Sequence, residues 1–193
     1  MDLTTMRIQV RRDLKDEDEY NYRWSDDEID RAIMRALEEF SLYCPREMTK
    51  ELATIPESDE VDISALNGRI NVIKVEFPLN NRPRSFVRFS VFNDKLFLSG
   101  TAGNGDNCRI YWNCPHTLDG STSTIPPRYE GLIALGAGAY AVFSESQFST
   151  DKATYGGGNV DTDYLRWANG RIRDFRRGCR RAAAVLRTGQ LYC

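Results

Sequence analysis

Residues 20–47 read YNYRWSDDEIDRAIMRALEEFSLYCPRE, and they carry the clearest helix signal in the chain. Ser25 followed three residues on by Glu28 has the spacing of a capping box, in which each side chain satisfies the other's backbone N–H. Trp24 before the cap and Ile29 at the fourth helical position have the spacing of a hydrophobic staple. Asp26 and Asp27 fall in the first turn, where the helix dipole favours anions. Ile29, Ile33, Ala36, Leu37 and Phe40 then form one apolar stripe, and Pro45 ends it.

Upstream, Leu3, Met6, Val10 and Leu14 recur at three and four, so a first helix is expected over about Leu3 to Leu14. The acidic run DEDEYNY breaks it. Downstream the period changes from about Glu47 to Pro127. INVIKVEF (70–77), SFVRFSVF (85–92), KLFL (95–98) and CRIYWNC (108–114) read as short strands. The second of these sets Phe86 and Arg88 against Val87, Phe89 and Val91. The N-N-R-P, N-D and G-N-G-D turns between the runs predict antiparallel hairpins, a small sheet or half-barrel inserted between helices.

HTLDGSTSTIPP reads as a loop, and Pro126 and Pro127 pre-set a third helix over about Arg128 to Gln147. Gly131, Gly136 and Gly138 lie within it among alanines. Glycine in a helix interior costs about 1 kcal/mol relative to alanine, so close helix–helix approach is expected as compensation. Charged residues bound a stretch too short to span a membrane. TYGGGN reads as a flexible break. A fourth helix is expected over about Asp161 to Arg187, where Leu165, Ala168, Ile172, Phe175, Cys179, Ala182 and Leu186 make a narrow seam with arginines on both flanks. Gly189 is its expected C-cap, and TGQLYC reads as a free tail.

The expected fold class is therefore α+β, mainly a four-helix bundle with an inserted antiparallel β-rich subdomain. Residues 1–46 supply helices one and two, 47–127 the insert, 128–187 helices three and four, and 188–193 a flexible tail. The 193 residues suit one domain with such an insert. The N-terminus lacks the apolar core of a secretory signal, so synthesis in a cytosol is expected.

Charge is nearly balanced, 28 acids against 26 lysines and arginines, but it is unevenly distributed. From Asp13 to Asp30 there are nine acids against Lys15 and Arg23. The fourth helix holds eight arginines against Asp161, Asp163 and Asp174. One reading is two solvated faces that partly neutralise each other within a subunit. The other is head-to-tail complementarity between identical subunits. Candidate interface residues are Asp16, Glu17, Asp18 and Glu19 on the acidic side, with Arg173, Arg176, Arg177 and Arg180 on the basic side.

No cofactor or metal is expected. The five cysteines show no C-x-x-C spacing, and His116 is the single histidine. Cys108 and Cys114 would lie roughly 20 Å apart on a strand, too far to bond to each other. Reduced, mostly buried thiols are expected, with Cys193 the one cysteine placed for an intermolecular bond. As a general base His116 would need a partner, and Asp119 is the near candidate; a structural or solvated histidine is the commoner case. GTAGNG lacks the Lys-Ser/Thr of a phosphate-binding loop. The arginine-rich helix also allows a nucleic-acid reading, against which stand its regular apolar seam and the slightly acidic chain.

Residues 20–47 as a whole resemble the second-helix signature of tailed-phage head–tail connector proteins, the adaptor or head-completion class. VIKVEFP resembles that family's strand-to-proline element. CPHTLDGSTSTIPPRYEGLIALGAGAYA resembles its His-Thr loop, Thr-Ile-Pro turn and Gly/Ala-rich third helix. The motifs stand in the family's order over about residues 1–187. The resemblance implies a non-enzymatic virion protein at the neck, made in a bacterial cytoplasm. It would assemble as a twelve-fold ring beneath the portal, extend the DNA channel without reading sequence, and present a platform to the next neck or tail protein. Leu191, Tyr192 and Cys193 are then candidates for docking the tail on the portal. The cysteine content departs from the family pattern.

Overall fold

The computed structural model describes residues 1–100, 105–152 and 160–190. The fold is α+β, with four helices and antiparallel sheets, and it divides into two units. One contains Met1–Cys44 and the described residues from His116 onward; the other is Pro45–Pro115.

In the helical unit, α1 spans Leu3–Leu14 and α2 spans Asp26–Tyr43. Both are where the periodicity predicts. The capping box on α2 is complete: the Ser25 N–H donates to Glu28 Oε2 at 2.8 Å, and the Glu28 N–H to Ser25 Oγ at 3.3 Å. Trp24 and Ile29 are both buried in the helical core, as a staple requires. A 3-10 turn at Pro127–Tyr129 leads into α3, Glu130–Lys152, five residues longer at its end than the sequence suggests. α4 spans Val160–Gln190.

α3 packs against α1, α2 and α4. That central position explains why Ile133, Ala134, Ala137, Ala139, Tyr140, Ala141 and Val142 are all buried, around most of the helix rather than along one stripe. The expected close approach is present. A Cβ on Gly136 would lie 2.8 Å from the Phe175 ring, and one on Gly178 would lie 2.5 Å from Leu132. The glycines on α3 and α4 therefore admit each other's large neighbours. The α4 seam is Ala168, Ile172, Phe175, Cys179 and Ala182, all buried.

The sequence reading ends α4 at Arg187 with Gly189 as its cap. The helix instead continues through Gly189 to Gln190. One interior glycine costs only about 1 kcal/mol, too little to stop a 31-residue helix. Leu191, Tyr192 and Cys193, and the whole TYGGGN break (154–159), lie outside the described residues.

Among its described residues the second unit holds seven strands: β1 Arg46–Ala53, β2 Glu60–Asp62, β3 Asn71–Glu76, β4 Phe86–Val87, β5 Phe89–Phe92, β6 Lys95–Leu98 and β7 Asn107–Cys114. They form two antiparallel sheets, ordered β1-β7-β3-β4 and β2-β6-β5. β7 is an inner strand of the larger sheet, between β1 and β3. Cys108, Ile110, Trp112 and Cys114 point into a core shared with Val61, Ile63, Leu66, Val75, Phe77, Leu96 and Leu98.

Three sequence expectations change here. SFVRFSVF is two strands, not one: β4 pairs with β3 and β5 with β6, with Arg88 between them. A single run thus serves two sheets, and Phe86, Val91 and Phe92 are left exposed. The G-N-G-D segment joins β6 to β7, which belong to different sheets, so it closes no hairpin. β1 and β2 were not expected at all. β1 (REMTKELA) is an edge strand in which only Arg46, Met48 and Leu52 are even partly buried, so it lacks β-branched alternation.

Candidate functional site

The acidic segment divides by burial. Asp16 is 6% exposed and accepts from the Arg11 guanidinium at 2.5 Å and the Arg23 N–H at 2.7 Å. Asp26 takes both Arg7 and Arg11, and Asp30 takes Arg7. Arg11 is itself buried, with the Tyr22 ring 3.6 Å from its guanidinium carbon. The inner carboxylates are therefore held by arginines of α1 and close the α1–α2 corner. Asp13, Glu17, Asp18 and Glu19 remain exposed; Glu17 comes within 4.0 Å of Arg12.

The described arginines of α4 are all exposed and divide instead by partner. Arg176 turns toward α2 and donates to Glu39 at 2.6 Å. Tyr140 also donates to Glu39, and the Arg35 guanidinium lies 4.3 Å from the Tyr140 ring centre. Burial first, and then the Glu39 bond, push the Tyr140 phenol up to about 12, so it stays a donor at neutral pH. The Glu39 bond raises Arg176 further. Arg176 is thus a strut between α2, α3 and α4.

Arg166, Arg173, Arg177 and Arg180 are all exposed. At about 100° per residue they fall within about 40° of one line along α4, opposite Phe175 and the buried seam. The stripe extends about 21 Å at about 1.5 Å per residue. Arg166 and Arg177 approach only their own helix's Asp163 and Asp174, at 3.5 and 3.7 Å. Arg173 and Arg180 have no ion-pair partner among the described residues. Arg166 belongs to this face and was missed from sequence, although the 3.6-residue period places it there.

A cleft of about 470 Å³ lies at the start of α4, lined by Leu14, Trp24, Val142, Tyr164 and Trp167 with Asp13, Arg23 and Asp163 at its rim. Arg23 is tied to Glu145 at 2.8 Å, and this bond raises its basicity. The Trp24 indole N–H is buried without a partner among the described residues.

His116 is 9% exposed, a structural histidine rather than a solvated one. Its backbone N–H donates to Ser41 Oγ at 3.0 Å, and Ser41 donates in turn to the Leu37 carbonyl at 2.8 Å. Asp119 does not serve it as an orienting carboxylate. The Asp119 side chain accepts from Ser121 and Thr122, and these bonds hold it well below the usual carboxylate range.

Cys44, Cys108, Cys114 and Cys179 are buried free thiols. Burial pushes Cys44 and Cys108 up, and pushes Cys179 to about 12 with help from the neighbouring Cys44. Cys44, Cys108 and Cys179 are therefore protonated at neutral pH, hence poor nucleophiles and poor metal ligands. Among the described residues no group of three or more His, Cys, Asp or Glu is placed to hold a metal ion, and no helix is long and apolar enough to cross a membrane.

No family model matches the chain, and no curated protein matches it. Among solved structures, a chain described as "Neck of empty GTA particle computed with C6 symmetry" is similar over 72% of this chain and 77% of its own length, at 11% identity and a TM-score of 0.31. A TM-score of that size does not establish a common fold.

Proposed function

We propose that this chain is a structural subunit of a tailed-phage neck: an adaptor that docks beneath the portal as a ring of twelve, extends the DNA channel and carries the next neck or tail protein. Its role is assembly, not catalysis, and its place is the virion, after synthesis in the host cytoplasm. The order of motifs along the sequence supports the family. The observation that carries the assembly reading is how the charges are divided. One set of charges pairs within the subunit, at Arg11–Asp16, Arg7–Asp30 and Arg176–Glu39. Two exposed surfaces of opposite sign are left over, the Asp13–Glu19 corner and the Arg166–Arg180 stripe. A ring contact joins two different surfaces of the same subunit, which such a pair fits. Exposed ion pairs are worth only about 0–1 kcal/mol each, so they steer and register the contact while apolar packing holds it.

The test is assembly on portal rings followed by electron microscopy at low and high salt. Arg177→Glu with Arg180→Glu should impair assembly, and Glu17→Arg with Glu19→Arg should restore it in part. Arg176 and Asp16 are unsuitable for this swap, because each supports the fold of its own subunit. A complex without rotational symmetry, or one copy per portal, overturns the ring.

The second reading is a DNA-binding helical protein that uses the fourth helix. The length and single sign of the arginine stripe favour it. Binding to duplex DNA that weakens steeply with salt and is lost with the same two arginines would support it. Salt-insensitive or absent binding would remove it.

A further inference from the structure

His116 stands where the chain re-enters the helical unit, and Cys44 where it leaves. The imidazole joins these two points. Nε2 lies 3.0 Å from the Cys44 carbonyl oxygen and Nδ1 lies 2.9 Å from the Thr124 carbonyl oxygen. A carbonyl oxygen only accepts, and a neutral imidazole has one N–H and one lone pair. In either neutral tautomer, one ring nitrogen would present its lone pair to a carbonyl at hydrogen-bond distance inside the protein. The Thr124 hydroxyl, 3.3 Å from Nδ1, is the competing donor, but it lies no nearer than its other acceptor, the Thr117 carbonyl at 3.3 Å.

We propose that His116 is held as the imidazolium, a two-armed donor that clamps the end of α2 to the 116–124 loop, and that losing its proton loosens this clamp. The Cys44 carbonyl belongs to the C-cap of α2, where the helix dipole favours a cation. The Phe40 ring packs against the imidazole with centroids 5.5 Å apart.

The surrounding elements contribute the following titratable or charged side chains: Cys44 at the end of α2, Arg128 and Tyr129 on the 3-10 turn, Cys179 on α4, and Asp119 in the loop itself. Arg128, whose charge is felt at Cys44, acts against the imidazolium. The two thiols are raised by burial and Asp119 is lowered by its hydrogen bonds. The two thiols therefore stay protonated and Asp119 stays ionised between pH 5 and 8.

The chain's only histidine makes the test unambiguous. Ring-nitrogen NMR of the full chain labelled with ¹⁵N-histidine would be followed from pH 5 to 10. An ordinary histidine titrates near about 6.5 and is roughly ten to one neutral at pH 7.5. The expected result is two protonated ring nitrogens at pH 7.5, with more than half of the ring as imidazolium. A predominantly neutral ring at pH 7.5, including the tautomer that accepts from the Thr124 hydroxyl, overturns the proposal. His116→Gln supplies a second readout. A cation favoured by folding stabilises below the unfolded value and loses that contribution as pH rises through the folded one. The wild-type melting temperature should therefore fall between pH 6 and 9 relative to that of His116→Gln; a constant difference overturns the clamp. If the variant does not fold, the NMR result decides alone.

Discussion

The two units place their charges differently. In the helical unit, a guanidinium and a carboxylate, Arg11 and Asp16, are each about 5% exposed in their side chains and 2.5 Å apart. In the β unit, the ion pairs Arg69–Asp94 and Lys95–Glu60 lie at the surface, with Asp94 70% and Lys95 60% exposed. The β unit buries one carboxylate, Glu76, which accepts from Tyr111 at 2.8 Å and from Arg109 at 3.3 Å; its hydrophobic cluster is otherwise built of apolar side chains and cysteine thiols. A buried charge must keep its partner, since the partner replaces the water it has lost. A surface charge exchanges its partner for water at little cost. The helical unit is thus pinned where both partners are buried, at Arg11–Asp16, whereas the buried Glu76 of the β unit is met by the more exposed Arg109 and the unit's other ion pairs lie at the surface.

The largest expected effect tests this contrast directly. Asp16→Ala should destabilise the helical unit by about 3–5 kcal/mol, because it leaves Arg11 buried with a lost partner. Asp94→Ala should cost the β unit only about 0–1 kcal/mol. Urea unfolding resolves the two, with Trp24 and Trp167 reporting on the helical unit and Trp112 on the β unit in variants that keep one set of tryptophans. Equal losses would break the comparison. Trp24→Ala should fall in the same range as Asp16→Ala, about 3–5 kcal/mol, since it empties a large site in the helical core.

Space gives a finer contrast within the helical unit. Gly136→Ala drives a Cβ to within 2.8 Å of the Phe175 ring. Overpacking of that kind costs about 1–3 kcal/mol, partly offset by the gain of up to about 1 kcal/mol in helix propensity. Gly131→Ala meets nothing within 4 Å and should stabilise by up to about 1 kcal/mol. Thermal melts that move in the same direction for both variants would show that α3 and α4 are not packed as closely as the glycines imply.

The difference between the units also governs how much of each was legible in the sequence. α1, α2 and the seam of α4 announce themselves because each buries one face, and one face has a period. α3 is buried around most of its surface, and only its glycines and alanines betrayed its position. β3, β6 and β7 carry β-branched or aromatic runs. β1 does not: only Met48 and Leu52 pack against its core, and its remaining side chains include Glu51, which pairs with Arg109 across the sheet at 2.6 Å. At the candidate interface, sequence grouped Arg176 with Arg173, Arg177 and Arg180. What separates it is Glu39, 137 residues away on α2, and no local pattern reports such a contact. Asp16 was likewise grouped with Glu17, Asp18 and Glu19, although its partner Arg11 lies only five residues back; the turn that brings them together is set by Lys15, in the left-handed region at φ 58.

The smallest expected effect concerns the start of α2, where both sequence and structure place the capping box. Ser25→Ala should cost about 1 kcal/mol at pH 7. It removes the hydroxyl that Glu28 bonds but keeps the backbone N–H of residue 25, which is the largest of the causes that lower the Glu28 carboxyl. Glu28→Gln removes the charge and keeps an acceptor for both. A carboxylate whose folded value is depressed contributes stability above the unfolded value, near about 4.3, and loses it as pH falls through the folded one. The stability advantage of wild type over Glu28→Gln should therefore be present at pH 7, begin to shrink near pH 4 and vanish below it. Ser25→Ala should keep part of that acid dependence, because the backbone bond remains. The measurement is a series of melts from pH 7 to 3 on the three proteins. If the gap between wild type and Glu28→Gln stays constant across the series, the box contributes through its geometry and not through the charge of Glu28.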